Sequence, residues 1–256
     1  MGLLGVALGL PVGLALGLLG GGGSILTVPI FVYMLGFGAK EAIAMSLAVV
    51  GVTSLFGAAG HWRTGNVNLR VALVFGAVAM LGTYLGARLA VFFSAAAQLA
   101  LFAVVMLVAA AFMFRGRSPA SRVEGDAAPA AARMRFGLIA LQGIAAGALT
   151  GLVGVGGGFL IVPALVLLGG LPMKQAVGTS LVIIAMNSLA GLLGHLGSDA
   201  PDLTVILLFV VAGLIGVIAG ERLARVLNPD QLRTGFALFV ALLGLFLLVD
   251  NITKLL

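Results

Sequence analysis

The feature that most constrains the fold is a series of long apolar segments separated by short polar intervals. A helix needs about 20 apolar residues to cross the hydrocarbon core of a bilayer, and several of the segments reach that length. They predict an all-α polytopic membrane protein. The segments cover residues 2–36, 41–60, 69–93, 99–114, 136–169, 175–195, 203–227 and 232–249.

The composition agrees with this class and excludes several others. Hydrophobic residues make up 62% of the chain and charged residues only 9%, far from the balance of a soluble domain. The chain has no cysteine, which excludes disulfides and thiolate metal sites, and no motif indicates another metal or a cofactor. The net charge of +6 does not require a nucleic-acid partner, because most basic residues lie at segment ends, where membrane orientation explains them.

The chain contains an internal duplication. The chain aligns with itself without gaps at an offset of 134 residues, which places residue 13 on residue 147. At this offset glycines match glycines, and Lys, His, Arg and Pro also match residues of their own type. Glycine richness alone would not align those rarer types. The duplication predicts a first transmembrane repeat (1–114), a basic linker with five arginines (115–135) and a second repeat (136–256). Matched pairs include Gly13 with Gly147, Pro29 with Pro163, Ser46 with Ser180, and His61 with His195.

The first apolar segment of each repeat is too long for one span. About 35 residues form a helix of about 50 Å, whereas the bilayer core is about 30 Å thick. Glycines interrupt both segments, so we expect each repeat to open with a Gly-broken helical hairpin followed by three transmembrane helices. Whether the hairpin is re-entrant or two short spans stays open. Each repeat then crosses the membrane an odd number of times, so the repeats are inverted. The Lys and Arg distribution favours this arrangement, with the linker cytoplasmic and both termini outside.

The two glycine-rich breaks predict a binding site for a small anion. A broken helix exposes backbone groups that are tolerated only against protein or a watery cavity. The half-helices that begin near Ser24 and Gly158 present N–H groups and a positive dipole end, and glycine lets an anion approach the backbone. Tight helix packing is the competing interpretation of the glycines. The predicted binding residues of the breaks are Gly21, Gly22, Gly23, Ser24, Thr27, Gly156, Gly157 and Gly158.

A polar stripe follows each break on the next apolar segment. Ser46 and Thr53 share one helical face in the first repeat, and Ser180 and Asn187 repeat the pattern in the second. We predict that these four side chains donate hydrogen bonds to the substrate. Interhelical hydrogen bonding is an equally good explanation of the stripe.

Three further pairs match across the repeats and are candidates for gating or coupling. Histidine can change charge near neutral pH, although an interfacial role is the leading alternative for this pair. The arginines either pair to close a gate or extend to the membrane surface, and the lysines either attract anions to the two mouths or anchor the helices. All eight acidic residues lie in loops or near segment ends, which favours a negative or neutral substrate. The pairs are His61 and His195, Arg88 and Arg222, and Lys40 and Lys174.

The doubled motif resembles the TauE/SafE sulfite exporter family of membrane permeases. The resemblance rests on the glycine-rich stretches 20–27 and 154–161 and on the helix starts KEAIAMSL and KQAVGTSL, and it covers nearly the whole chain. Gly158 stands where the first repeat has Ser24, so a symmetric hydroxyl contribution is not expected. The resemblance implies a multi-pass permease of a bacterial or archaeal inner (plasma) membrane that moves sulfite, sulfoacetate or another organosulfonate.

Residues and resemblance together predict a carrier whose partners are a small anionic substrate and the lipid bilayer. We expect an exporter that works by alternating access, with its site between the two breaks, and not an enzyme. One alternative is a passive anion channel on the same scaffold. A second is an intramembrane serine hydrolase that uses Ser24 and His61. Assembly as a homodimer stays open.

Overall fold

The computed structural model describes residues 2–19, 24–115, 136–154, 158–167, 170–195, 202–223 and 229–252. These residues form helices joined by short connections, with no strand among them. Four of the helices are long and apolar enough to cross a membrane, which confirms the predicted all-α polytopic class. The helices are α1 (Gly2–Leu19), α2 (Ser24–Met34), α3 (Ala39–Arg63), α4 (Leu69–Leu89), α5 (Ala95–Arg115), α6 (Phe136–Val153), α7 (Gly158–Leu167), α8 (Met173–Gly194), α9 (Leu203–Leu223) and α10 (Pro229–Ile252).

Single polar residues set the starts of three helices. Asn68 Oδ1 accepts a hydrogen bond from Val71 N at 3.1 Å and caps α4. Ser94 Oγ accepts one from Ala97 N at 3.2 Å before α5, and Asp202 Oδ1 accepts one from Thr204 N at 2.9 Å before α9. Each cap satisfies a backbone N–H that has no partner within its own helix. The boundaries between neighbouring apolar helices are therefore encoded by local sequence.

Facing glycines allow two pairs of helices to pack at backbone distance. α1 lies along α9 and α6 lies along α4. A Cβ on Gly13 would collide with the carbonyl of Gly213, and a Cβ on Gly151 would collide with the carbonyl of Thr83. Small residues four apart let membrane helices approach in this way. Each pair joins a helix of one repeat to a helix of the other. Further glycines at these contacts are Gly82, Gly86, Gly147, Gly216 and Gly220.

The centre of the protein is the pair α3 and α8. Two thirds (67%) of the apolar window of α3 and 61% of that of α8 are buried, compared with 39% for α4 and 44% for α9. Leu47 contacts Gly191 at one end of the pair, Gly51 faces Ser188 in the middle and Gly57 faces Leu181 beyond it. The residue numbers rise on α3 as they fall on α8. The two helices, which occupy equivalent places in the two halves of the chain, therefore run antiparallel.

The flanks of the bundle carry a continuous apolar surface. α4 lies beside α8, α9 lies beside α3, and α5 packs on α10. Their outward faces expose large side chains such as Leu81, Leu207 and Leu242. Surfaces of this kind suit the lipid bilayer rather than water. The polar positions that concern function lie inside this shell.

Candidate functional site

The helices end at both glycine-rich breaks. α1 ends at Leu19 and α2 begins at Ser24, whereas α6 ends at Val153 and α7 begins at Gly158. Ser24 and Gly158 are both buried. The other predicted glycines, Gly21, Gly22, Gly23, Gly156 and Gly157, lie outside the described residues. Between α6 and α7, Gly154 is not helical, as the second predicted break requires.

The second break rests on α3 of the first repeat. Gly154 has a φ of +76°, a conformation that favours glycine, and a Cβ there would lie 2.5 Å from Cγ2 of Ile43. Ser46 Oγ donates a hydrogen bond of 3.0 Å to the Gly154 carbonyl. Of the four predicted stripe residues, Ser46 is thus the one whose hydrogen bond to a break is observed, and that break belongs to the opposite repeat.

Ser46 and Ser180 do not come together. Ser180 precedes Leu181, which faces Gly57, so the two serines are separated along α3 by about 11 residues, or roughly 16 Å at 1.5 Å per residue. Ser180 Oγ donates a hydrogen bond of 2.7 Å to Val177 O within its own helix. The two predicted serines therefore mark opposite parts of the central helix pair.

Three buried polar side chains lie between those two serines, within about one helical turn of the contact between Gly51 and Ser188. We name them the α3–α8 polar cluster: Ser54 on α3, and Asn187 and Ser188 on α8. Ser54 and Asn187 are 0% exposed and Ser188 is 1% exposed. Their hydroxyl and amide atoms have no hydrogen-bond partner among the described residues. Leaving such a group unsatisfied costs about 1–3 kcal/mol, so the cluster is the strongest candidate for binding a ligand.

Two further predicted site residues, Thr53 and Thr27, differ in whether their hydroxyls already have a partner. Thr53 Oγ1 donates to Val49 O at 2.7 Å and to Val50 O at 3.2 Å, so its hydroxyl is satisfied by its own helix. Thr27 lies on α2, which packs on α3; it is fully buried, and its hydroxyl has no partner among the described residues. Thr27 therefore retains hydrogen-bonding capacity for a ligand, whereas Thr53 does not.

The interior around the cluster carries no charged side chain in the described part of the chain. The buried polar residues there are Ser, Thr, Asn, Gln and His, without Asp, Glu, Lys or Arg. Placing an ionised side chain in such an interior is costly unless it is paired. A ligand at the cluster would therefore be held by neutral hydrogen-bonding groups.

His195 and Lys40 lie near the same end of the central pair. His195 is the C-cap of α8, one residue beyond the apolar span, and its Nδ1 donates to Gly191 O at 2.9 Å. Burial lowers the pKa of His195; the bond to Gly191 opposes this, and the charge of Lys40 adds to it. Lys40 Nζ donates a long hydrogen bond of 3.4 Å to Val91 O. This end of the central helix pair therefore has a cationic side chain near a histidine whose neutral form is favoured.

The remaining gating candidates are at helix ends. His61 lies in the last turn of α3, where its carbonyl accepts a hydrogen bond of 2.9 Å from Asn66 N and its side chain adjoins Gly178. Arg88 and Arg222 lie in the last turns of α4 and α9 and are exposed, and Lys174 is exposed at the start of α8. These placements agree with the predicted positions at segment ends, and no observed contact assigns them to a gate.

The sequence analysis missed a polar network between α2 and α10. Tyr33 Oη donates to Asp250 Oδ2 at 2.9 Å, and Asn251 Nδ2 donates to Tyr33 Oη at 2.8 Å and to Leu247 O at 2.9 Å. The duplication conceals it, because the residue equivalent to Tyr33 is Leu167. The only available signal was a tyrosine shortly after the first break and a polar pair at the end of the last apolar segment.

Comparison with known proteins places the chain in a family. The family model for the sulfite exporter TauE/SafE matches residues 5–247. A "Probable membrane transporter protein" of Xylella fastidiosa (strain Temecula1) is 34% identical over 240 residues, covering 93% of this chain and 91% of that protein. "Probable membrane transporter protein YdhB" of Bacillus subtilis is 26% identical over 243 residues, covering 92% and 96%.

No solved structure matches the chain. The relatives nevertheless share nearly the full length with it, and their names describe membrane transport rather than catalysis. The chain belongs to the TauE/SafE sulfite exporter family of membrane transporters.

Proposed function

We propose that the protein carries small sulfur-containing oxyanions, such as sulfite, sulfoacetate or another organosulfonate, and exports them by alternating access. The observation that carries this proposal is the α3–α8 polar cluster, which is buried, has no partner among the described residues and lies in an interior without buried charge. Neutral donors can replace part of the water shell of an anion without holding it as tightly as an ion pair. The family description supplies the sulfur oxyanion.

We propose that the site lies between the two breaks and that the breaks lie at different depths along the central helix pair. The bond from Ser46 to Gly154 puts the second break toward one end of α3. By the duplication, the first break is expected beside Ser180, roughly 16 Å away along the helix pair. We propose that each break attracts the anion from one side of the membrane, and that the cluster holds it in between.

The helix arrangement supports inverted repeats and alternating access. Equivalent helices related by a two-fold axis in the membrane plane must run antiparallel, as α3 and α8 do. The pairs α1–α9 and α4–α6 lie on opposite sides of this centre, each locked by facing glycines. Movement of these pairs as rigid units against α3 and α8 would open the cluster to one side at a time.

The orientation proposed from the basic residues gives the two mouths different chemistry. With the linker (115–135) in the cytoplasm of a bacterial or archaeal cell and the termini outside, Lys40 and His195 lie at the extracytoplasmic mouth. His61 and Lys174 then lie at the cytoplasmic mouth. Labelling of single cysteines introduced at positions 40 and 174, from the two sides of intact cells, tests this orientation; no native cysteine interferes.

Sulfite flux into proteoliposomes tests the proposed function. A carrier gives flux that saturates and that accelerates when unlabelled sulfite is present on the opposite side, whereas a passive channel gives neither. The double variant Ser54→Ala with Ser188→Ala should lower the flux at least several-fold. Thr150→Val is the matched control, because the Thr150 hydroxyl already donates to Ala146 O at 2.8 Å.

Two outcomes would redirect this proposal. Absence of flux and of saturable anion binding in folded wild-type protein would refute an oxyanion carrier. Covalent labelling by a serine-reactive probe that disappears in Ser24→Ala would support the hydrolase alternative instead.

A further inference from the structure

We propose that the transported anion brings a hydrogen-bond donor of its own, as a hydroxylated or protonated monoanion does, and that Asn187 selects for it. The inference rests on the proposed anion-carrier function and narrows its cargo to monoanions that carry a donor, such as hydrogen sulfite or a hydroxylated sulfonate. It excludes sulfoacetate, which has two charges and no donor. It starts from the one side chain of the α3–α8 polar cluster that needs both a donor and an acceptor.

The Asn187 amide has both donors and an acceptor to satisfy, and a ligand of mixed polarity satisfies both. The side chain is 0% exposed, and neither Nδ2 nor Oδ1 has a hydrogen-bond partner among the described residues. An amide offers two N–H donors and one acceptor oxygen. An anion that only accepts hydrogen bonds would satisfy Nδ2 and leave Oδ1 without a donor. A donor on the cargo removes that conflict.

The side chains around Asn187 indicate the charge and the acceptor groups that a ligand at this site should have. Asn187 lies one turn from Gly191, which faces Leu47 of α3 and Thr83 of α4. The hydroxyls of Ser188, which faces Gly51 one turn further along α3 from Leu47, and of Ser54, one turn beyond Gly51, can donate to the oxygens of an anion. No Lys or Arg is buried in the described interior to neutralise a second charge. The site therefore suits a single negative charge with one donor beside it.

Only the second repeat, through Asn187, supplies the selectivity for a ligand that carries a donor. Thr53 occupies the position of Asn187 in the first repeat, but its hydroxyl donates to Val49 O and Val50 O of its own helix. The first repeat thus offers no matching donor–acceptor pair at this depth. A bound cargo would have its donor directed toward α8, which fixes its orientation in the site.

Two sulfonates that differ by one hydroxyl test the inference. Ethanesulfonate and 2-hydroxyethanesulfonate carry the same single charge and are similar in size, and their binding to purified protein is compared at one pH. We expect the hydroxylated compound to bind about tenfold more tightly to wild type, as one added hydrogen bond implies. Asn187→Thr, which copies the first repeat, and Asn187→Leu should each reduce this preference to about twofold or less.

Thr83→Val is the matched control. It removes a buried hydroxyl close to Asn187 that already donates to Ala79 O at 2.8 Å, so the tenfold preference should persist. If Asn187→Thr does not fold, Asn187→Leu and the wild-type comparison still decide the question.

The outcomes separate this inference from the function on which it rests. Equal binding of the two sulfonates by wild type, as expected if only water contacts the amide, overturns the donor requirement and leaves the anion carrier standing. A preference that survives in folded Asn187 variants overturns the role of Asn187. Failure of folded wild type to bind either sulfonate overturns the proposed function and this inference together.

Discussion

Ser46 Oγ donates a hydrogen bond of 3.0 Å to the carbonyl of Gly154 and thereby ties α3 of the first repeat to the helix break of the second. Ser46 is 0% exposed, so no bulk water can replace it as a donor. Gly154 has a φ of +76° and lies directly on Ile43. Gly154 therefore receives a side-chain hydrogen bond and a close packing contact from the other half of the chain, in addition to the bond from its own N–H to Thr150 O.

Ser46→Ala should destabilise the second break. The substitution leaves the buried Gly154 carbonyl without its donor, and an unsatisfied buried acceptor costs about 1–3 kcal/mol. We expect a lower thermal unfolding midpoint in detergent and faster proteolysis near residues 154–158, together with reduced flux.

Ser180→Ala is the matched control for that experiment, because Ser180 is the repeat equivalent of Ser46. Its hydroxyl donates only to Val177 O, three residues earlier in α8, so its loss should cost about 0.5–1 kcal/mol. Equal destabilisation by the two alanine substitutions would contradict the special role of the bond between Ser46 and Gly154.

The sequence was sufficient to predict the elements but not which of them would pack together. Apolar length predicted the helices, and the second glycine run predicted the interruption that Gly154 shows before α7. A duplication, however, makes contacts within a repeat and contacts between repeats equally plausible. The association of Ser46 with Gly154 therefore could not be predicted, because it depends on α3 of the first repeat packing against the break of the second repeat.

The polar stripe shows the same limit for the site. Thr53 and Asn187 occupy equivalent positions on α3 and α8, which led to one expectation for both. The threonine hydroxyl can reach carbonyls of its own helix, whereas both amide atoms of Asn187 lack a partner among the described residues. Equivalent positions in the pattern therefore differ in their hydrogen bonding, and residue type does not predict the difference, because the Asn251 amide does bond a carbonyl of its own helix.

Gly151→Ala should disrupt the contact between α4 and α6. A Cβ at Gly151 would collide with the carbonyl of Thr83, and the helices can relieve this only by moving apart. Overpacking of this kind costs about 1–3 kcal/mol, which thermal unfolding in detergent would detect.

Gly235→Ala is the control for glycine replacement in a membrane helix. No atom lies within 4 Å of a Cβ at Gly235 in α10, so the better helix propensity of alanine should leave stability unchanged or raise it by up to about 1 kcal/mol. If Gly151→Ala proved as harmless as Gly235→Ala, the glycines could not be what holds α4 against α6.

Tyr33→Phe should loosen α2 from α10. The phenol oxygen donates to Asp250 and accepts from Asn251, and hydrogen bonds to a charged group contribute about 1.5–3 kcal/mol. We expect a lower unfolding midpoint and increased hydrogen exchange in α2. Tyr84→Phe changes the other tyrosine, which is exposed on α4, and should leave both measurements unchanged; a similar effect of the two variants would argue against the network.

Acidification should destabilise the protein through His195. Because its pKa in the folded protein is lowered from 6.5, the unfolded chain takes up the proton first as the pH falls. The contribution of neutral His195 to stability is therefore constant above about pH 6.5. It is lost progressively as the pH falls from about 6.5 toward the pKa of His195 in the folded protein. His195→Gln keeps a donor for Gly191 O but cannot titrate, so its unfolding midpoint should vary less with pH over that range. His61→Gln removes the only other histidine and should retain the wild-type pH dependence. If His61→Gln, and not His195→Gln, made the unfolding midpoint less dependent on pH, the responsible histidine would be the one at the opposite end of the central helix pair.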